Sequence, residues 1–226
     1  MLTSLMSGNW AEYLFHIFIR LIVVFTALPL HEFAHGWVAR RLGDRTAEYQ
    51  GRLNLNPLHH FDPIGTTMLL LTGYGWAKPV PINPNYFKNP KKGMALTALA
   101  GPVSNLLLAW ALLVLDKSLF YFLPSNTFTS VLSTAFYIMI STNLSLAVFN
   151  LLPCPPLDGA KIFGAFLPDR VYWQVMRYER YIMLALFAVI MFTPLLDWPL
   201  QKLTQLAYYG ISFLSGFVDM LANLIR

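Results

Sequence analysis

The sequence predicts an all-α polytopic membrane protein with about five to six transmembrane helices. Three observations predict it. Of the 226 residues, 56% are apolar and only 12% charged, against about 25% charged in an ordinary soluble domain. Several stretches reach the ~20 apolar residues needed to cross a hydrocarbon core. Basic residues gather between particular stretches, as the bias of cytoplasmic loops toward Lys and Arg requires. The same composition excludes disorder, because apolar and aromatic residues run the full length. Sixteen Lys and Arg against eleven Asp and Glu leave +5. They form no basic stripe, so nucleic acid is not an expected partner. Cys154 is the one cysteine, which rules out an internal disulfide framework.

The first expected span covers residues 13–39. No basic segment precedes it and no small-residue cleavage site follows, so a cleaved signal peptide fits poorly. Residues 51–57 (GRLNLNP) alternate apolar and polar side chains, which suggests a short strand. Residues 64–71 are apolar but too few to span, and read as a re-entrant or interfacial piece. Residues 76–84 (WAKPVPINP) are extended but proline-studded, which suits only an edge strand or loop. Together these segments suggest a small β element at the membrane interface between the first and second spans. Its exposed edge would be Arg52–Asn56 or Val80–Asn83.

Further spans are expected at residues 94–115, 130–152, 181–196 and 200–224. The loop over residues 40–92 carries eight basic residues: Arg40, Arg41, Arg45, Arg52, Lys78, Lys88, Lys91 and Lys92. Lys161, Arg170, Arg177 and Arg180 follow the third span, whereas only Lys117 and Lys202 lie near helix ends on the other side. This places the first loop in the cytoplasm, the N-terminus outside and the C-terminus inside. Glu12, His16 and Arg20 fall at i,i+4 intervals along the first helix. They form one stripe, either an outer-leaflet ion pair or a polar lining for access. No repeat or second soluble domain is visible, so residues 1–226 read as one integral-membrane domain.

His31-Glu32-Phe33-Ala34-His35 carries the chemistry. On a helix, side chains four apart share a face ~5–6 Å apart, so both imidazoles can ligate one Zn²⁺. Glu32 directly follows the first ligand, where this motif places its general base. Ionisable groups within a span are costly and mark function more often than structure. A catalytic zinc takes three protein ligands and keeps a position open. Candidates for the third are His59, His60, Asp62, Cys154 and Asp158. His59 and His60 sit in a polar loop that suits solvated histidines, and Cys154 suits a small buried hydrophobe. Asp158 follows the proline-rich end of the third span, on the same membrane face as His35. It is the favoured ligand.

The order of three motifs then resembles the site-2 protease family of intramembrane zinc metalloproteases. They are His31–His35 in one span, Gly101-Pro102-Val103-Ser104-Asn105 in the next, and Asn150–Gly159 after a third. One departure is minor: Pro156 makes a Pro155-Pro156 pair. The resemblance covers residues 20–165, a three-helix catalytic core, with C-terminal helices over residues 178–226. It is closest to compact members, because no insertion is long enough for a PDZ or CBS domain. It implies one Zn²⁺ per chain on His31, His35 and Asp158, with Glu32 activating water. It also implies that Asn105 and Asn150 position substrate or meet the developing oxyanion. The implied partners are the lipid bilayer and a membrane-spanning protein substrate. The implied setting is a prokaryotic plasma membrane, with the site near the cytoplasmic side. A metal transporter or a silent scaffold using the same cluster is the alternative, but neither accounts for a glutamate at position 32.

Overall fold

Three helices long and apolar enough to cross a membrane organise the chain. In a computed structural model, which describes residues 10–63, 65, 67 and 77–225, they are α1 (Trp10–Arg41), α4 (Pro90–Phe122) and α5 (Thr127–Asn150). Short helices α2 (Thr46–Tyr49) and α3 (Pro57–His60) lie between α1 and α4, followed by a 3-10 turn at Pro84–Tyr86. After α5 come α6 (Asp158–Gly164), α7 (Asp169–Arg177), α8 (Glu179–Phe192), α9 (Asp197–Leu214) and α10 (Gly216–Ile225).

Local chemistry sets the boundaries. Gly43 ends α1 at φ +113°, a region where a Cβ is strained. Pro90 opens α4 behind Asn89, whose side chain accepts from the Lys92 N–H at 3.1 Å. At α5, Asn126 accepts from the Thr129 N–H at 3.0 Å. The Thr129 hydroxyl accepts from the Asn126 N–H at 2.9 Å, closing a reciprocal cap. α4 packs against both α1 and α5. Val23, Val24, Ala27 and Leu28 of α1 meet Leu146 of α5, while Ala109, Leu112 and Leu113 of α4 meet Ile140 and Leu144 of α5 and Ile211 of α9.

Three expectations need correction. No strand occurs among the described residues, so the β element is absent there. Over residues 51–57 the polar side chains bond their own backbone: the Asn54 amide donates to the Gly51 carbonyl, and its oxygen accepts from the Asn56 N–H at 2.9 Å. Such local bonds displace a ladder. Pro79, Pro81 and Pro84 remove the N–H groups that a strand over 76–84 would need. The two segments are tied instead by the Arg52 guanidinium, which donates to the carbonyls of Lys78 at 2.9 Å and Pro79 at 3.2 Å.

Among the described residues the count of spans also falls, to three candidates, or four if α9 and α10, bent by 41°, form one. The expected span over 181–196 is α8, whose 14 residues reach about 21 Å, short of a ~30 Å core. Pro194 prevents its continuation. α9 and α10 also relocate the C-terminus. Ile211 packs beside Leu113, and Lys117 pairs with Asp219 at 2.6 Å. The last described residues, in α10, therefore lie toward the Lys117 end of α4 and not on the His31 and His35 face. Residues 64–71 lie outside the described residues apart from 65 and 67, as do the side chains of Glu12, His16 and Arg20.

A cysteine-accessibility experiment checks this topology. In a Cys154→Ser background, Tyr49→Cys and Ile225→Cys should react with a membrane-impermeant maleimide from opposite sides of the bilayer. Labelling from the same side would contradict the placement of α9 and α10.

Candidate metal centre

His31 and His35 project from one face of α1, and Asp158 meets them from the first turn of α6. The three donor atoms form a nearly regular triangle. His31 Nε2 lies 3.0 Å from His35 Nε2, and Asp158 Oδ2 lies 3.2 Å from each. All three residues are buried. Donors at ~2.0–2.1 Å from one tetrahedral zinc stand about 3.3 Å apart, so the triangle has the size of a zinc face. The donor chemistry agrees. His35 Nδ1 is 2.7 Å from the Thr97 carbonyl, which can only accept, so this nitrogen carries the proton and Nε2 presents its lone pair. Electron pairs of two imidazoles and a carboxylate converging out of water call for a cation. The residues fit a single Zn²⁺.

Two glycines make the convergence possible. A Cβ on Gly101 of α4 would lie 2.5 Å from Cε1 of both His31 and His35, so only glycine lets the rings rest against α4. A Cβ on Gly159 would lie 2.2 Å from the Leu152 carbonyl oxygen. Glycine there lets the chain fold back under the end of α5 and return Asp158 to the histidines. Lys161, one turn along α6, places Nζ 3.8 Å from Asp158 Oδ1.

Glu32 lines the same cavity of about 360 Å³, with His31, His35, Val80, Asn150, Asp158 and Lys161. Met183, Leu186 and Phe187 of α8 form an apolar wall. Glu32 is buried, and its Oε2 accepts from the Val80 N–H at 2.8 Å. Among the expected substrate-positioning residues, Asn150 is on the cavity wall, with its amide donating to the Leu146 carbonyl at 3.0 Å. Asn105 is fully enclosed and does not line the cavity; neither of its amide atoms has a hydrogen-bond partner among the described residues.

The other candidate ligands go elsewhere. His60 is buried but sets Nε2 2.9 Å from the Asn54 carbonyl, and His59 meets the Asn54 amide at 2.8 Å. Asp62 accepts from the Gly65 N–H at 2.8 Å. Burial pushes the Cys154 thiol up, away from the thiolate a metal needs. Lys161 and Thr97 are not named as site residues from the sequence, and Val80 enters only as part of an expected strand edge. Lys161 had a signal, an i,i+3 relation to Asp158, whereas Thr97 and Val80 act through main-chain atoms that any residue carries.

Gly101→Ala should therefore displace both imidazoles. Zinc content of the purified chain, measured by plasma mass spectrometry, should drop below half of the wild-type value while α-helical circular dichroism is retained. Full occupancy would show that the rings do not depend on this contact.

Comparison with known proteins places this geometry in a lineage. The model of peptidase family M50 matches residues 118–196, which include Asp158. Relatives named "Putative zinc metalloprotease" include YwhC of Bacillus subtilis, 44% identical over 82% of this chain and 85% of its own length. MJ0611 of Methanocaldococcus jannaschii is 32% identical over 73% of this chain and 80% of its own length. Rip2 of Mycolicibacterium smegmatis is 34% identical over 63% of this chain, which spans only 53% of that longer protein. No solved structure matches the chain significantly. The buried His-His-Asp triangle and the extent of the match to YwhC lead to one assignment: the chain belongs to peptidase family M50, the site-2 protease family of zinc metalloproteases.

Proposed function

We propose that the chain is an intramembrane zinc metalloendopeptidase that cuts membrane-spanning protein segments, as in regulated intramembrane proteolysis. The observation that carries this reading is Glu32. A buried carboxylate with no cationic partner among the described residues sits beside a three-donor metal site in one cavity. A transporter or scaffold has no use for it.

His31, His35 and Asp158 would hold the metal, which would supply Lewis acidity to polarise a carbonyl and make water a stronger acid. Glu32 takes a proton from the attacking water and delivers it to the leaving amine. With Oε2 held by Val80, Oε1 is the oxygen available for that transfer. Asn150, already on the cavity wall, is suited to position the substrate or to donate to the developing oxyanion. Asn105 takes the same role only if substrate binding opens a path to its enclosed amide. The apolar wall from α8 excludes water and accommodates apolar side chains of a substrate.

The substrate is a transmembrane segment in a prokaryotic plasma membrane. Support comes from the lipid-sized helices around the cavity and from the bacterial and archaeal relatives. The basic residues of the 40–92 loop support a cavity near the cytoplasmic side. Residues 20–165 act as the catalytic core of a single 1–226 domain.

Glu32→Gln separates the readings. It should retain zinc but lose proteolysis by about 10²–10⁴-fold, the usual contribution of a general base. In membranes holding the variant, uncut transmembrane proteins should accumulate relative to wild type, as read by quantitative proteomics. Unchanged proteolysis, or identical membrane proteomes, would overturn the endopeptidase reading.

A further inference from the structure

The extended segment over residues 77–83 lies along the metal cavity, held at both ends by groups that lie outside the catalytic set. At one end the Arg52 guanidinium donates to the carbonyls of Lys78 and Pro79, and the Lys78 N–H donates to the His60 carbonyl at 2.9 Å. At the other end the Asn83 N–H donates to Oδ2 of buried Asp44 at 2.7 Å. Asp44 is itself fixed by the Thr46 N–H on Oδ1 at 2.9 Å. Pro79 and Pro81 flank Val80 and carry no N–H. The donor between them is the Val80 amide, and it points at Glu32 Oε2.

Packing places that donor. Val80 is buried, and its Cγ1 lies 3.2 Å from where a Cβ on Gly36 would be. Gly36 is one helical turn beyond Glu32, so the missing side chain lets the segment approach α1 at the level of the carboxylate. A carboxylate has two oxygens and rotates about χ3 unless one is bonded. A charge-assisted bond from a main-chain N–H removes that freedom without adding a competing charge.

Resting on the endopeptidase reading above, we infer that residues 77–83 form a strap whose Val80 N–H is the positioning group for Glu32. It fixes Oε2 so that Oε1 faces the reaction, and Arg52 and Asp44 tension the strap from outside the cavity. The prolines serve this arrangement, because they leave one N–H in the span from 79 to 81 and keep the backbone extended.

Two measurements on the purified full chain test the inference. The first reads the bond without proteolysis. By hydrogen exchange resolved to single amides, Glu32→Ala should speed exchange at Val80 at least 10-fold and leave the Asn83 amide, held by Asp44, unchanged. Equal exchange at Val80 in both proteins would overturn the proposal. The second reads the consequence, using a quenched fluorogenic peptide with an apolar segment of about 20 residues in phosphatidylethanolamine–phosphatidylglycerol vesicles. Val80→Pro removes the N–H, and Val80→Ala, which keeps it, controls for loss of the isopropyl group. Val80→Pro should lower kcat at least 10-fold with KM within about threefold and zinc retained, while Val80→Ala recovers most of kcat. Arg52→Leu, changed outside the cavity, should lower kcat in the same sense as Val80→Pro. Equal kcat for the proline and alanine variants, or an Arg52→Leu effect confined to KM, would overturn the proposal. A peptide cut as fast by Glu32→Gln as by wild type would sink the endopeptidase reading instead.

Discussion

The closeness of α1 to α4 at Gly101 is the constraint on which the site depends. Two imidazoles four residues apart can share a metal only if the neighbouring helix leaves room for both rings, and a single Cβ at position 101 would enter both. The same approach brings the Thr97 carbonyl to His35 Nδ1, which selects the tautomer whose Nε2 is free to bind. Spacing on α1 puts the histidines on one face; α4 decides whether that face is usable.

Burying this much polarity inside a largely apolar chain is costly unless each group has a partner. Here the partners come largely from main chain, and the His-His-Asp triangle is left to face a metal. His35 uses the Thr97 carbonyl, Glu32 uses the Val80 N–H, and Asp158 Oδ2 faces both rings. Neutral backbone partners orient the ionisable groups without cancelling the charge that the chemistry uses. Lys161 is the exception, a cation near the Asp158 oxygen that turns away from the histidines.

Much of the site was legible in the sequence because its chemistry is rare in apolar stretches. His31, Glu32, His35 and Asp158 stand out against 12% charge, and the structure gathers them in one cavity. Main-chain partners such as Thr97 and Val80 carry no residue-type signal, so no reading of side chains could name them. The long helices were equally legible. The error over residues 181–196 came from counting apolar residues through Pro194, where the helix stops at Phe192. The error over residues 51–57 came from reading alternation as a strand, when Asn54 could satisfy its own backbone neighbours more cheaply than a distant chain could. Period-two alternation is weak where the polar member is asparagine.

The arrangement of two imidazoles and one carboxylate around a single zinc has a distinct spectroscopic signature. X-ray absorption at the zinc K-edge of the purified chain tests it most directly. The spectrum should show nitrogen and oxygen donors alone at about 2.0–2.1 Å, with multiple scattering from two imidazoles. A sulfur shell near ~2.3 Å, which would implicate Cys154, or scattering from three imidazoles, which would implicate His59 or His60, would contradict it.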